Sequence, residues 1–200
     1  GADINEVSRG MGLDPRIGES YLQPGPGFGG PCLEKDLNAL NILAKNRGLS
    51  LKIFKEVLER NNVQIDEMIR KIEKNVKINE SLITIWGLSF KAGTDDTRNS
   101  SSLRLIENLS AQNAKIKIFD PVATLNASMP KNLEISEDPY LSVENSDILV
   151  IMTEWPEFLE YDYFRIFQSM RGKNIVDARN ILNSSFIKSL GFSYSGIGVI

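Results

Sequence analysis

The residues best placed to do chemistry are Cys32, Lys35 and Asp36, which end a short loop rich in glycine and proline. Residues 25–36 contain four glycines, two prolines and the only cysteine of the chain. Glycine lets a backbone approach a ligand closely, and proline stiffens the loop. We expect Cys32 at the N-terminus of a helix with Lys35 one turn later, and both features favour the reactive thiolate. On that helix Asp36 shares a face with Cys32, so the pattern predicts a nucleophilic thiol beside a carboxylate.

Two other interpretations of this loop must be weighed. A lone cysteine is often a small buried hydrophobic residue, and the sequence leaves that alternative open. Gly25, Gly27 and Gly30 also spell GxGxxG, the dinucleotide-binding pattern, which requires a strand before it and a helix at its end. Residues 20–24 are a poor strand, and the two prolines of the loop lack the backbone N–H groups that a pyrophosphate would bind. We therefore reject the dinucleotide interpretation.

The composition limits the class of protein. A chain of 200 residues with 42% hydrophobic residues can form one or two domains with a buried core. A net charge of −3 argues against nucleic acid as a partner. The sequence has no apolar run of about 18 residues and no signal-peptide pattern at its start, so we expect no membrane association. One cysteine allows no internal disulfide and fits a reducing compartment, which predicts a cytoplasmic protein.

The absence of histidine is the sharpest limit on the chemistry. It excludes Ser-His-Asp and Cys-His catalysis within this chain, and it excludes histidine-ligated metal sites. We therefore expect no metal, and acid–base steps must use Asp, Glu, Lys, Tyr or water. The chain begins without methionine inside a predicted helix, so we also expect a fragment of a longer protein.

Hydrophobic periodicity divides the chain into a helical first part and an alternating second part. Helices are predicted over residues 4–11, with Asp3 as the cap, and over residues 34–47 and 51–77. Strands are then predicted over residues 82–86, 115–119, 148–152, 174–177 and 192–194. Further helices are predicted over residues 101–112, with Ser100 as the cap, and over 138–144, 161–170 and 184–190, while residues 125–135 are predicted to be a loop. Repeated βα units predict an α/β fold with a parallel, Rossmann-like sheet and helices on both faces.

The apolar stripe of the helix over residues 51–77 is interrupted by Asn61 and Asn62. On the pattern alone, this favours a helix pair packed within one subunit over a dimer seam.

Polar clusters follow three of the predicted strands, at residues 90–100, 120–121 and 178–180. Ligands of parallel sheets bind beyond the carboxyl ends of the strands. Lys91, Arg98 and Arg179 fall at these exits, so we expect an anionic and phosphorylated ligand. The sequence has no Walker A motif, which excludes a P-loop nucleotide hydrolase.

Together these stretches resemble the nucleotide-sugar 6-dehydrogenases, the UDP-glucose/GDP-mannose dehydrogenase family. Residues 25–36 resemble the family's GFGGSCxPKD sequence, and residues 86–98 resemble its GLxFKxxTDDxR sequence. Residues 120–121, 153–155 and 177–182 resemble the DP, TEW and DxRNxL stretches, and residues 196–198 also fit. The resemblance covers essentially the whole chain, with the motifs in the family's order.

The resemblance implies that this chain is roughly the C-terminal half of a family member. Residues 1–77 would be part of an all-α central dimerisation region that carries the cysteine loop. Residues 78–200 would be the α/β domain that binds the sugar nucleotide. The N-terminal NAD-binding domain would be missing, with most of the central helix that supplies a lysine and an asparagine to the reaction. The expected cofactor is NAD, the expected substrate is a UDP-sugar, and the expected assembly is a homodimer.

The resemblance also implies the chemistry. The sugar C6 alcohol would be oxidised to the uronate in two hydride transfers to NAD, with Cys32, Lys35 and Asp36 as the catalytic residues. The Cys32 thiolate would attack the intermediate aldehyde to form a thiohemiacetal, whose oxidation leaves a thioester. Water would hydrolyse the thioester, and Asp36 would position or activate that water. A thiolate suits this sequence of steps because it both attacks and leaves easily.

The remaining site residues are carried over by position. Arg16 would reach across the dimer to the substrate of the other subunit. The other substrate-binding residues would be Tyr21, Leu22 and Gln23 along the base, Gly25, Gly27, Phe28 and Gly29 around the diphosphate-sugar, and Phe90, Lys91 and Arg179. Arg98, together with Cys32, would face NAD.

The sequence departs from the family pattern beside the cysteine. Pro31 replaces the usual serine, and Leu33 and Glu34 replace an aromatic–proline pair. Residues 87–96 look like the GDP-mannose branch, whereas the DP and TEW stretches look like the UDP-glucose branch. We favour UDP-glucose, with GDP-mannose or a UDP-N-acetylhexosamine as alternatives. Alone, the fragment would be inactive and could serve only as a sugar-nucleotide-binding and dimerisation module. A weaker alternative is an unrelated flavodoxin-like domain with a structural cysteine.

Overall fold

A computed structural model describes residues 2–125 and 132–198 of the chain. The helices are α1 (Ile4–Gly12), α2 (Leu33–Asn46), α3 (Lys52–Glu73), α4 (Ser101–Ala111), α5 (Pro139–Val143), α6 (Tyr163–Ser169) and α7 (Ser184–Ser189). The strands are β1 (Leu82–Trp86), β2 (Lys115–Phe119), β3 (Leu133–Ile135), β4 (Ile148–Ile151), β5 (Asn174–Asp177) and β6 (Ser193–Gly196). Short 3-10 helices lie at Ile78–Glu80 and Pro156–Leu159. Within these ranges, every helix is too short or too polar to span a membrane.

The six strands form one fully parallel sheet in the order β3-β2-β1-β4-β5-β6. Ile83 of β1 pairs with Ile116 of β2 on one side and with Ile148 of β4 on the other. The strand order reverses between β1 and β4, so a crevice opens beyond the carboxyl ends of these two strands. The predicted parallel α/β fold is confirmed.

Side chains alternate across the sheet and build a hydrophobic core on each face. Ile83 and Ile85 of β1 point into a core that α3 and α4 share. Trp86 points into the opposite core, which is covered by Val143 of α5, Ile166 of α6 and by α7. Helices therefore lie on both faces of the sheet, as the sequence predicts.

Helix α3 belongs to both parts of the chain. It packs on α2, and Ile53 near its start is exposed. Its second half supplies Ile65, Met68 and Ile72 to the core beneath β1. The predicted boundary between residues 77 and 78 thus follows a helix that is already part of the core of the sheet. The division into two domains at that point stays a prediction.

Polar side chains cap the helices where the sequence indicates. The Asp3 carboxylate accepts a hydrogen bond from the Asn5 N–H at 2.8 Å, and the Ser100 hydroxyl accepts one from the Ser102 N–H at 3.0 Å. Both predicted caps are confirmed. Asp138, Asp162 and Asn183 cap α5, α6 and α7 in the same way.

Two predicted elements were wrong. Residues 133–135 form β3, although residues 125–135 were predicted to be a loop; residues 126–131 lie outside the described ranges. Strand β3 is a three-residue edge strand, so its run of Leu, Glu and Ile is too short for the alternation to predict a strand. Helix α3 ends at Glu73 and not near residue 77. Just beyond the end of the helix, the Asn75 side-chain amide donates a hydrogen bond to the Lys71 carbonyl oxygen at 2.8 Å.

Asp147, in the turn before β4, holds the start of β1. Its carboxylate accepts a hydrogen bond from the Leu82 N–H at 2.9 Å and forms an ion pair with Arg171. The hydrogen bond from Arg171 lowers the pKa of Asp147, the Leu82 N–H adds to this, and burial opposes it.

We expect Asp147→Asn to lower the free energy of unfolding at pH 7 by about 1–2 kcal/mol, because a charge-assisted hydrogen bond to a largely exposed arginine is lost. A carboxyl whose pKa is depressed by folding stabilises the fold above its unfolded pKa and loses this contribution as the pH falls through the folded value. The deficit of the variant should therefore shrink as the pH falls below about 4, the ordinary pKa of an aspartate. Urea unfolding measures it, with Asp66→Asn, an exposed position on α3, as the control. A deficit that stays constant over this range would contradict the assignment.

Candidate active site

Asp120 organises the edge of the sheet where ligands bind in folds of this type. Its Oδ2 accepts hydrogen bonds from the backbone N–H groups of Leu88 at 2.6 Å and Ser89 at 3.2 Å, and from Trp155 Nε1 at 3.2 Å. Its Oδ1 accepts from two backbone N–H groups of its own turn. The carboxylate therefore ties the exit of β2 to the exits of β1 and β4, and its oxygens are engaged within the protein.

Arg179 reaches from the exit of β5 towards the exits of β1 and β4. Its Nε donates to the Met152 carbonyl oxygen at 2.9 Å and lies 3.0 Å from Glu154 Oε2. Its Nη2 donates to the Phe90 carbonyl oxygen at 3.4 Å. Burial lowers the pKa of Arg179, while the carboxylates of Glu154 and Asp177 oppose this shift. The site thus contains a fixed, largely buried guanidinium, a group that binds phosphate oxygens well.

The turn that aims Arg179 is built by Asp177, which is fully buried. The Asp177 carboxylate accepts hydrogen bonds from the N–H groups of Arg179 at 3.0 Å and Leu182 at 2.9 Å, and from the Tyr194 hydroxyl at 3.1 Å. Burial raises the pKa of Asp177, and these hydrogen bonds counter that effect. Asn180 follows in the left-handed region, with φ of 53°. The buried carboxylate therefore fixes the backbone from which Arg179 projects.

The glycine loop of residues 25–30 is anchored to α3 and α4. The Phe28 N–H donates to Asn61 Oδ1 at 2.8 Å, and Asn61 Nδ2 donates to the Phe28 carbonyl oxygen at 3.0 Å. The Ser101 hydroxyl donates to the Gly27 carbonyl oxygen at 3.4 Å. The loop runs from α1 to α2, and no strand precedes it among residues 2–32, so it lacks the context that a dinucleotide loop requires.

Glycine is required in this loop because neighbouring groups come very close. A Cβ at Gly25 would lie 2.8 Å from Arg179 Nη1, and one at Gly29 would lie 2.6 Å from the Asn99 carbonyl oxygen. Gly30 has φ of +84°, and a Cβ there would lie 2.9 Å from the Phe90 ring. The loop therefore packs directly on the exits of β1 and β5.

A cavity of about 400 Å³ opens between the loop and Arg179. It is lined by Tyr21, Gln23, Gly25, Gly27, Phe28 and Arg179. All six were predicted from the sequence to bind substrate, and the structure brings them together. A volume of this size falls within the range of small-molecule sites.

Cys32 lies at the N-cap position of α2 and is exposed. The Asp36 N–H donates to the Cys32 carbonyl oxygen at 2.9 Å, which places Asp36 one turn further along. Lys35 Nζ lies 3.5 Å from Asp36 Oδ1, and both side chains are exposed. The expected helix start is present, and the alternative of a buried structural cysteine is wrong.

Arg98 lies in electrostatic reach of Cys32. The Arg98 side chain donates to both carboxylate oxygens of Asp96, with distances of 2.7–3.1 Å. These hydrogen bonds raise the pKa of Arg98, and a thiolate at Cys32 would add a smaller contribution. Arg98 also holds the pKa of Asp96 at about 2. Lys91 is exposed, with Nζ 5.5 Å from the centre of the Phe90 ring.

Five predicted substrate residues do not line this cavity, namely Arg16, Leu22, Gly29, Phe90 and Lys91. Arg16 is 87% exposed and pairs with Asp14 at 2.6 Å, which raises the pKa of Arg16. The Leu22 carbonyl oxygen accepts a hydrogen bond from the Ser8 hydroxyl at 2.7 Å, so this part of the segment packs on α1. Tyr21 is fully exposed at the cavity rim, in the left-handed region with φ of 63°.

Comparison with known proteins gives this arrangement a family. Residues 84–184 match the UDP-binding domain of the UDP-glucose/GDP-mannose dehydrogenase family, and residues 1–63 match the central domain of the same family. This chain belongs to the UDP-glucose/GDP-mannose dehydrogenase family. The resemblance seen in the sequence motifs is confirmed.

Similar proteins of this family are longer than this chain. It is 40% identical over 205 aligned residues to a UDP-glucose 6-dehydrogenase of Rickettsia typhi, covering 99% of this chain and 47% of the relative. It is 37% identical over 207 aligned residues to a UDP-glucose 6-dehydrogenase of Pseudomonas aeruginosa, covering 99% and 46%. The chain therefore spans about half the length of the curated relatives it matches.

Solved structures of the family share the fold. A UDP-glucose dehydrogenase of Pyrobaculum islandicum is 28% identical with a TM-score of 0.82, covering 100% of this chain and 44% of that one. A UDP-D-ManNAc dehydrogenase of Pyrococcus horikoshii is 30% identical with a TM-score of 0.80, covering 99% and 44%.

The dinucleotide-like strand order of this family domain does not produce a site for a dinucleotide at β1. The N–H groups of Leu88 and Ser89, just after Gly87, already donate to Asp120. Helix α4 begins only at Ser101, so no helix N-terminus follows the strand directly. A pyrophosphate needs free backbone N–H groups at such a helix start.

Within residues 2–125 and 132–198, no group of three or more His, Cys, Asp and Glu side chains is placed to hold a metal ion.

Sequence reasoning did not include Asn61 and Glu154 in the site. Asn61 had a detectable signal, because an amide in the apolar stripe of a helix needs a hydrogen-bonding partner. Glu154 had no signal of its own, since only the fold places it 3.0 Å from Arg179. The roles of the predicted site residues in binding and catalysis stay predictions.

We expect Gly30→Ala to lower the free energy of unfolding by roughly 2–4 kcal/mol, because a Cβ adds both backbone strain and a clash with the Phe90 ring. Gly48→Ala is the matched control, since Gly48 also has positive φ but nothing lies within 4 Å of its Cβ position. The control should lose only roughly 1 kcal/mol, from strain alone. Urea unfolding of both variants measures the difference, and equal losses would count against close packing of the loop on Phe90.

Proposed function

We propose that this chain is the C-terminal part of an NAD-dependent UDP-glucose 6-dehydrogenase. The observation that carries the proposal is an exposed cysteine at a helix start, joined by a glycine loop to a cavity walled by Arg179. The family membership supports it, and the relatives named above are UDP-glucose 6-dehydrogenases.

The nucleotide sugar would occupy the cavity beside the glycine loop. Arg179 Nη1 faces Gly25, where it can donate to a diphosphate oxygen that lies against the loop. Tyr21 and Gln23 at the rim would lie along the base, and Phe28 would pack on the sugar. Lys91 and Arg98 are exposed cations that add to the positive potential around the diphosphate. The Arg16 side chain is largely exposed beside its ion-pair partner Asp14. It would act on the cavity of a second subunit.

Cys32 would carry the covalent step. The Cys32 thiolate adds to the C6 aldehyde carbon, forming an S–C bond and a thiohemiacetal. After oxidation at C6 leaves a thioester, water adds to that carbon, the S–C bond breaks, and the thiolate leaves with the uronate as product. Asp36, one turn beyond Cys32, would accept a proton from this water, with Lys35 stabilising the carboxylate.

NAD⁺, when bound, supplies the hydride acceptor for both oxidations at C6. Arg98 is the residue of this chain that would face it, because Arg98 is exposed and in electrostatic reach of Cys32. The engaged N–H groups after β1 support a main NAD site in the remaining half of the protein.

We also propose a homodimer. Most of the exposed large apolar side chains of the described residues belong to the first 63 residues of the chain. They include Leu40 and Leu43 of α2 and Ile53 and Val57 of α3. Ile53 and Val57 line a mostly apolar groove of about 560 Å³ that also borders the glycine loop. Apolar surface of this extent favours coverage by another subunit.

In the full-length protein, Cys32→Ala should reduce uronate formation by at least about a thousandfold, because removal of a covalent nucleophile eliminates the reaction path. NADH formation with UDP-glucose and quantification of the uronate measure the loss. Ser50→Ala, in the exposed connection between α2 and α3, is the control. Uronate formed at the normal rate by Cys32→Ala would refute the covalent role.

Calorimetry of the full-length protein should show binding of UDP, with Arg179→Met and Lys91→Met each weakening it about tenfold or more through loss of a charge-assisted hydrogen bond. Lys188→Met, exposed on α7, should bind as the wild type does.

Tighter binding of GDP would favour the GDP-mannose alternative. Binding without turnover would favour the binding and dimerisation module, and binding of neither nucleotide would count against Arg179 and Lys91. Turnover of a UDP-N-acetylhexosamine in preference to UDP-glucose would identify the remaining alternative.

A further inference from the structure

Asn61 is a buried amide in the middle of the long helix α3. Its side chain makes both of its hydrogen bonds to one residue of the glycine loop, accepting from the Phe28 N–H at 2.8 Å and donating to the Phe28 carbonyl oxygen at 3.0 Å. A buried amide is costly unless it is satisfied, so the helix and the loop depend on each other at this point. The contact is also tight, because a Cβ at Gly27 would lie 2.6 Å from Asn61 Oδ1.

A second contact holds the chain on the other side of Cys32. Arg104 of α4 donates to Glu34 Oε2 at 2.7 Å and to Asn62 Oδ1 at 3.2 Å. Glu34 lies in the first turn of α2 and is one of the residues that departs from the family pattern, which has proline there. The ion pair joins the first turn of α2 to α4 and, through Asn62, to α3.

These two contacts bracket Cys32. Phe28 precedes it by four residues, Glu34 follows it by two, and the residues between them include two glycines with little stiffness of their own. The Cys32 side chain is exposed, so packing around the sulfur does not hold it in place. Its position therefore depends on the backbone of the segment, which is held at both ends and by the packing of Gly29 and Gly30 on Asn99 and Phe90.

We propose that Asn61 and the Glu34–Arg104 ion pair are positioning residues for the Cys32 thiolate. This inference rests on the proposed function, because the position of the sulfur matters only if it meets a substrate. The ion pair is partly exposed, with side-chain exposures of 36% for Glu34 and 24% for Arg104, and such pairs contribute little to stability. Its effect should therefore appear in the rate of the covalent step, where small misplacements of a reacting group are costly.

The first test measures position without activity, on the full-length protein. Hydrogen exchange of the Phe28 amide should become at least about tenfold faster in Asn61→Ala, and less so in Asn61→Asp, which keeps the acceptor of the Phe28 N–H and loses the donor to the Phe28 carbonyl oxygen. Iodoacetamide alkylation of Cys32, followed by mass spectrometry of its peptide, should differ at least about threefold between the wild type and a free peptide of residues 28–36. In Asn61→Ala and in Glu34→Gln the alkylation rate should move towards the peptide value. Asn38→Ala and Glu107→Gln, both exposed, are the matched controls.

The second test separates positioning from stability. With UDP-glucose, kcat for uronate formation should fall about ten- to a hundredfold in Asn61→Asp and Glu34→Gln, while KM stays within about threefold. Thermal unfolding of Glu34→Gln should match that of the Glu107→Gln control. Charge reversal in the double variant Glu34→Arg with Arg104→Glu should recover part of kcat relative to either single variant.

The outcomes distinguish this inference from the proposed function. Unchanged exchange at Phe28, or a wild-type alkylation rate equal to that of the peptide, would overturn the positioning role whatever the enzyme does. Normal kcat in a variant with a loosened loop would overturn it as well. If the wild type oxidises no nucleotide sugar but the exchange and alkylation results hold, the proposed function fails while the two anchors of Cys32 stand.

Discussion

The candidate site depends on one carboxylate whose oxygens both accept hydrogen bonds within the protein. Asp120 joins the turn after β1 to β4 through Leu88, Ser89 and Trp155, and so fixes where Phe90 lies. The Phe90 ring supports the glycine loop, and its carbonyl oxygen accepts a hydrogen bond from Arg179. The positions of the cavity walls thus depend on the hydrogen bonds to Asp120 at the carboxyl ends of the strands. Because each buried donor of this hydrogen-bond cluster has a partner, the cluster is rigid.

The chain divides its work between a rigid sheet and a loop that depends on it. The sheet supplies Arg179 from a buried turn shaped by Asp177, and it supplies the surface on which the loop rests. The loop supplies the glycines and, at its end, Cys32. A thiolate on a loop alone would be placed poorly, since sites on rigid elements hold their geometry better. Packing of the loop on α3 and on the strand exits holds the cysteine in a defined position relative to the sheet.

Local chemistry made much of this architecture predictable. Five strands, the caps Asp3 and Ser100 and the helix start at Cys32 follow from periodicity and from capping residues. The cavity residues were predicted because a resemblance placed them, and the fold then brought six of them together around one cavity. Strand β3 could not be predicted, since a short edge strand owes its structure to its neighbour. The contacts of Asn61 with Phe28 and of Glu154 with Arg179 join residues far apart in sequence, and no local pattern encodes such pairs.

The double membership of α3 has a mechanical consequence. Its 22 residues form a stiff rod about 33 Å long, with one end embedded under the sheet and the other end bare at Ile53. Near the midpoint of this helix, Asn61 forms two hydrogen bonds with Phe28 of the glycine loop. A tilt imposed at the bare end, with the embedded end as the pivot, would carry Phe28 along with the helix. The position of the loop that leads to the thiol is therefore mechanically coupled to contacts made at the outer end of α3.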